Sequence, residues 1–213
     1  MDDLQYGNPT QEQLRYLKAD SPLDALVADL LQAGPPRASS AAVKEELNAL
    51  AEWSRELSHK PDALKQSRVY DRGLHLYFSE MHGADTRANV EYMELLDSLF
   101  SELLPLVYKL KYHFNRPRPY QLAAAYKLTF FPYGSATAAS PSYPSGAALV
   151  SAVVCDVLGN LNPKSYAGYK SLAKDVARSR QFMGLNYPSD IDASLLAAEK
   201  ILADPEFKGR YGL

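Results

Sequence analysis

The chain has 213 residues, 46% of them hydrophobic, and its 23 Lys and Arg against 25 Asp and Glu leave a formal net charge of −2. That length fits a single domain, 1–213, able to bury its own core, and the charge balance excludes a global basic field of the kind that draws a protein to nucleic acid or to an anionic membrane. Any cationic site must therefore be local.

Residues 1–20 are polar and rich in Gln and Tyr, and the pattern predicts an arm carrying one short helix around Glu12-Gln13-Leu14-Arg15-Tyr16-Leu17. Ser21-Pro22-Leu23-Asp24 reads as a helix start, with Ser as N-cap, Pro in the first turn and an acid behind it. Leu23, Leu26, Val27, Leu30 and Leu31 line one face, and Gly34-Pro35-Pro36 ends the run. A second amphipathic helix is predicted from Ser40 to Ser58, with Val43, Leu47, Leu50 and Trp53 as core residues by their spacing. Pro61 opens a third helical segment through Leu64, Val69, Leu74 and Tyr77 to Met81. His59, His75 and His82 fall in or beside it without a second histidine or carboxylate at ligand spacing, so no metal site is expected.

From Ala84 to Lys111, apolar residues at Val90, Met93, Leu96, Leu99, Leu103, Leu106 and Leu110 predict one long helix, with Pro105 tolerated as a kink. Then comes Lys111-Tyr112-His113-Phe114-Asn115-Arg116-Pro117-Arg118-Pro119. The two prolines force the chain out of helix and hold Arg116 and Arg118 in extended backbone. A loop rich in Pro, Gly, Ser and Ala runs from Phe130 to Ser142 and leads into Tyr143-Pro144-Ser145-Gly146 and an apolar helix to Leu158. Cys155, the one cysteine, lies in that run and reads as buried core, and no disulfide framework exists. Further helices are predicted from Ser165 to Met183 and from Pro188-Ser189-Asp190 to Ala203, followed by a polar, peripheral tail from Asp204 to Leu213. No strand pattern competes anywhere, so the fold class expected is all-α, a compact helical bundle.

The longest apolar stretch, Ala147 to Leu158, is interrupted by Asp156 and falls short of the ~20 residues that span a bilayer. The acidic start Met1-Asp2-Asp3 lacks the basic and apolar regions of a secretory signal. The expected location is the cytoplasm, or the periplasm if an export signal has been removed.

A Pro-Ser-Gly turn opening a helix leaves backbone N–H groups unpaired at its N-terminus and favours an anion there. Pro144-Ser145-Gly146 has company: Lys111 followed after six residues by Arg118-Pro119, and Ser179-Arg180 followed by Asn186 and Asp190. In order and spacing these three segments, within residues 111–190, resemble the signature K-x6-R-P, P-S-G-H, S-R-x5-H-x3-D of the type-2 phosphatidic acid phosphatase and vanadium haloperoxidase superfamily. In size the chain is most similar to the soluble class A acid phosphatases.

The resemblance implies a phosphate pocket at helix ends that needs no metal. It implies Lys111, Arg118 and Arg180 as ligands of phosphate oxygens, Ser145 and Gly146 as hydroxyl and backbone donors, and Asp190 as orienter of a nucleophile. The chain departs from the pattern at the two positions that do the chemistry. The general-acid histidine is replaced by Ala147, and the histidine that attacks phosphorus, or coordinates vanadium in the haloperoxidases, by Asn186. Alanine has no proton to give, and a neutral amide is a poor nucleophile, so no phosphoenzyme is expected.

Two accounts fit this double loss. One is a metal-independent phosphomonoesterase acting through phosphohistidine, disabled by substitution and still able to bind phosphate. The other is a natural pseudoenzyme that keeps a phosphate cup for binding or assembly. Both imply a small phosphorylated partner, no resident cofactor, and vanadate only as a phosphate analogue. Neither implies nucleic acid or membrane as partner, and the helical N-terminal half is a candidate homodimer face. Tyr133, Tyr143 and Tyr187 lie near the motifs and are read as packing residues rather than as a stacking platform.

Overall fold

A computed structural model of the chain describes residues 1–32, 34–81, 86–130 and 132–213, without the side chains of 86–89. His82 and the start expected for the long helix at Ala84 therefore lie outside the described residues, which contain helices and turns and no strand.

The helices are α1 (Gln11–Lys18), α2 (Asp24–Leu30), α3 (Ala41–Ser58), α4 (Pro61–Tyr70), α5 (Leu74–Glu80), α6 (Thr86–Phe114), α7 (Pro119–Ala123), α8 (Gly146–Leu161), α9 (Tyr166–Phe182), α10 (Pro188–Ala203) and α11 (Pro205–Tyr211). The expected all-α architecture holds. α6 and α8 form its centre: Leu96, Leu99, Leu103 and Leu106 of α6 are fully buried, as are Leu149, Val153, Val154, Cys155 and Val157 of α8. Against α8 pack α9 and α10, while α1, α2 and α5 cover α6. A second cluster around Val43, Leu47, Leu50, Leu122 and Tyr187 ties α3 to the segment after α6.

Several boundaries differ from expectation for identifiable reasons. Ser21 does not cap the second helix, which starts at Asp24; its hydroxyl accepts the N–H of Leu23 and donates to the carbonyl of Glu102, anchoring the chain to α6 instead. The segment from Pro61 to Met81 is two helices, broken at Asp71-Arg72-Gly73, where Gly73 has φ of 115°. The tail is not peripheral. Asp204 caps α11 by accepting the N–H of Phe207, and the i, i+4 pair Phe207 and Tyr211 is buried in the core. Trp53 is half-buried, edge-on to Phe182, and Val90 faces outward. Residues 11–18 do form the expected short helix, which lies on α6 with Tyr16 stacked on Tyr108 at 4.9 Å. Among the described residues no helix is long and apolar enough to cross a membrane.

Candidate functional site

Three chain turns bring the sequence motifs to one place. α6 ends at Phe114, and Asn115, with φ of 45°, turns the backbone into the extended Arg116-Pro117-Arg118 segment. Lys111 is thereby left on the last turns of α6, with Arg118 beside it. α8 starts at Gly146, where Ser145 accepts the N–H of Ala148 and leaves the N–H groups of Gly146 and Ala147 ahead of the first intrahelical bond. Gly146 is required by proximity: a Cβ there would lie 2.9 Å from Val107 Cγ1 and 3.4 Å from Lys111 Cε. α9 supplies Arg180 and is terminated by Gly184 at φ of 70°, after which the N–H of Leu185 returns to the carbonyl of Arg180 at 2.9 Å. That turn presents Asn186.

These residues surround a cavity of about 220 Å³, lined by Lys111, Arg118, Arg180, Gly146, Ala147 and Asn186, with Ser140, Thr137 and Ala138 at one side. Beyond them the wall is apolar, formed by Leu74, Phe100, Leu104, Val107 and Val150 together with Tyr70 and Tyr108.

The three cations are buried. Lys111 Nζ donates to the carbonyl of Pro141 at 2.6 Å, and burial, then the neighbouring Arg118, holds its pKa well below the usual lysine value. Arg118 donates to the carbonyls of Ser140 (2.8 Å) and Leu185 (2.7 Å) and to Asn186 Oδ1 (3.2 Å). Burial brings its pKa down to about 10, which leaves it charged at neutral pH. Arg180 donates Nη2 to Asp71 Oδ1 at 2.7 Å, whereas its buried Nη1 has no hydrogen-bond partner among the described residues.

Asp71, at the break between α4 and α5, was not singled out by the sequence. Besides Arg180 it accepts from Ser135 Oγ (2.6 Å), Thr137 Oγ1 (2.7 Å) and the N–H of Ala136 (2.8 Å), so one carboxylate fixes both the guanidinium and the loop that edges the cavity. Burial pushes its pKa up, but Arg180 and the hydroxyl donors outweigh it and the net shift is downward.

Asp190 and Ser145 do not line the cavity. Asp190 is fully buried behind Asn186, accepting from Asn186 Nδ2 (3.2 Å), the N–H of Tyr187 (2.9 Å), Ser142 Oγ and Arg116 Nη1. Arg116 also reaches Glu46 of α3 at 3.3 Å and lies 3.9 Å over the Tyr187 ring. Ser145 is spent on capping α8, and its N–H donates to the carbonyl of Asp190 at 3.2 Å. Glu46, Ser140 and Ser142 were likewise missed; only the Arg116-Pro117 repeat of Arg118-Pro119 hinted at a second structural arginine. Tyr133, Tyr143 and Tyr187 do not line the cavity, and Tyr187 is fully buried. His113 is exposed, packed edge-on to Phe114, and His75 pairs with Asp97 at the surface. Among the described residues no three His, Cys, Asp or Glu side chains converge as metal ligands.

A helical bundle with a cationic cavity at helix ends is thus what fold and site define. The solved structure of a bacterial vanadium-dependent iodoperoxidase has the same fold, with a TM-score of 0.70 at 17% identity. The superposition covers 99% of this chain and 60% of that one, so the chain spans less than two thirds of the iodoperoxidase's length. No family model and no curated protein sequence matches the chain.

The cavity suits the oxygens of a vanadate, with guanidinium, ammonium and helix N–H donors to meet them. It does not suit vanadium itself. Asn186 donates Nδ2 to the carbonyl of Ser142 at 2.7 Å and accepts from Arg118 through Oδ1, and an amide nitrogen has no free lone pair to coordinate a metal.

Proposed function

We propose that this chain binds phosphate, or the phosphoryl group of a small molecule, between Lys111, Arg118, Arg180 and the N-terminus of α8, and does not transfer it. The observation that carries this reading is Arg180 Nη1. A buried guanidinium N–H without a partner costs about 1–3 kcal/mol, and here it belongs to a residue lining a cavity shared with two other buried cations. An anion in that cavity supplies the missing acceptor. At an effective dielectric near 20, each cation about 4 Å from it contributes roughly 4 kcal/mol before desolvation.

Asn186 supports the absence of transfer. Both ends of its amide are engaged by neighbours, and Ala147 offers a methyl group where a proton donor would stand. Calorimetric titration with phosphate, on this chain and on Arg180→Ala, tests the site: binding lost in the variant supports it, and equal weak binding by both overturns it.

A second reading, a phosphomonoesterase disabled at two positions, is favoured by Asp190. Its buried carboxylate lies 3.2 Å from Asn186 Nδ2, where it could equally accept a ring N–H from an imidazole at position 186.

A further inference from the structure

The lining of the cavity is of two kinds, apolar and cationic, and α6 carries both. Phe100, Leu104, Val107 and Lys111 recur at intervals of four, three and four residues, so α6 turns one continuous stripe toward the cavity. At 1.5 Å per residue the stripe is about 16 Å long, apolar for most of its length and cationic at its end. α8 runs the other way. Its first residues, Gly146 and Ala147, line the cavity with backbone N–H groups outside the intrahelical ladder, and Val150, one turn on, lines it too. Ala147 lines the cavity beside Gly146. Its methyl group leaves open the space that a larger side chain there would close.

From this we infer that the phosphoryl ligand carries a compact apolar group, of about the size of one aromatic ring or a short branched alkyl chain, seated against Leu74, Phe100, Leu104 and Val150. The inference rests on the phosphate-binding reading above. Phe100 and Val150 are almost wholly buried, Leu104 partly so, and none can donate or accept a hydrogen bond. A sugar or polyol placed against these side chains would find no partner on them; the phenols of Tyr70 and Tyr108 and the hydroxyls of Thr137 and Ser140 line the same cavity, so the apolar wall disfavours such groups without excluding them. Size sets the scale. An apolar cavity of about 150 Å³ holds benzene, and the 220 Å³ here must also take the phosphoryl oxygens.

Phosphonates test this without any chemistry, because their carbon–phosphorus bond is not hydrolysed. Titration of the intact chain with inorganic phosphate, methylphosphonate, phenylphosphonate and glycerol phosphate should show phenylphosphonate binding about 30-fold tighter than methylphosphonate, the order expected for withdrawing one ring from water. Glycerol phosphate should bind no tighter than phosphate. In Leu104→Asn, at a partly buried wall position, the advantage of the phenyl group should fall below about fivefold, with phosphate affinity unchanged. If phosphate binds in an Arg180-dependent way while phenyl and methyl compounds bind alike, the apolar compartment is not a ligand site and the inference fails alone. If neither phosphate nor any phosphonate binds, the phosphate-binding reading fails with it.

Discussion

Arg180 and Asp71, 109 residues apart in sequence, are joined by a 2.7 Å ion pair in which the guanidinium keeps its other terminal nitrogen free for the cavity. The carboxylate thus acts on two things at once, the aim of Arg180 and the position of the Ser135–Thr137 loop. Asp71→Asn should lower stability by about 3 kcal/mol, as breaking a buried pair on one side does. It should also speed amide exchange at Ala136, whose N–H is held by Asp71 Oδ2. Urea midpoints and site-resolved hydrogen exchange check both; an unchanged midpoint with unchanged exchange would remove Asp71 from the site's architecture.

Lys111 gives a pH dependence with opposite signs for binding and stability. Its folded-state pKa lies well below the ordinary lysine value of 10.5 because burial, and then Arg118, penalise the charged form. Between the folded and unfolded pKa the unfolded chain binds the extra proton, so ligand-free stability rises with pH across that window, and below the folded pKa the cost of burying the ammonium is present in full. Anion affinity runs the other way, since the cation is lost as pH rises through the folded pKa. As pH rises through that folded pKa toward the ordinary lysine value, phosphate affinity should fall while the thermal midpoint of the free protein gains from Lys111. In Lys111→Met the affinity should be weaker and flat over that range. A flat profile in the unaltered chain would mean that Lys111 does not face the anion.

Gly146 is a packing requirement as well as a donor. Adding a methyl group there would press on Val107 at 2.9 Å and on the Lys111 stem at 3.4 Å, so Gly146→Ala must move α8 away from α6 or bend both side chains. Overpacking of this kind costs about 1–3 kcal/mol, and because the displaced stem carries one of the cations, phosphate affinity should drop with stability. Denaturant melts and calorimetry on the same variant would show this. Loss of stability with phosphate affinity intact would separate the helix contact from the site.

How much of this was legible in the sequence depends on the range of each interaction. Ser40 and Pro188 mark α3 and α10 because caps and first-turn prolines act over a few residues, and the leucine spacing of α6 reports a core that any bundle must bury. The cavity residues were legible only as three ordered motifs, and six of the eight expected site residues do line it: Lys111, Arg118, Gly146, Ala147, Arg180 and Asn186. Asp71 was not, since an aspartate at a helix break looks like any turn residue until Arg180 is brought to it from the far end of the chain. Glu46 is hidden for the same reason: on α3 it is one acid among several, and its partners Arg116 and Ser189 arrive only with the tertiary fold. The tail failed differently. Three apolar residues in ten, Phe207, Tyr211 and Leu213, are too few for periodicity, and what buries Phe207 and Tyr211 is the capping of α11 by Asp204.

The last prediction concerns the two absent imidazoles. Ala147 already faces the cavity, so a side chain lengthened there enters space rather than packed core. Asn186 is buried, but Ser142 O at 2.7 Å and Asp190 Oδ2 at 3.2 Å wait beside its Nδ2, acceptors that would hold a ring N–H and aim the other ring nitrogen at a bound phosphoryl group. Ala147→His with Asn186→His should therefore produce phosphatase activity insensitive to chelators, the ring at 186 attacking phosphorus and the ring at 147 protonating the leaving oxygen. Groups that act as a unit are strongly non-additive, and removal of a nucleophile costs on the order of 10⁴ to 10⁶ in rate in the protease precedent. The nucleophile should matter more, because an aryl oxide leaves with little acid help. Asn186→His alone should cleave aryl phosphates and hardly touch alkyl ones, and Ala147→His alone should cleave neither. Steady-state turnover of both substrate types, with phosphate binding measured on each variant, decides the matter. A folded, phosphate-binding double variant that turns over nothing would show that the scaffold lacks more than two imidazoles, and only the binding role would stand.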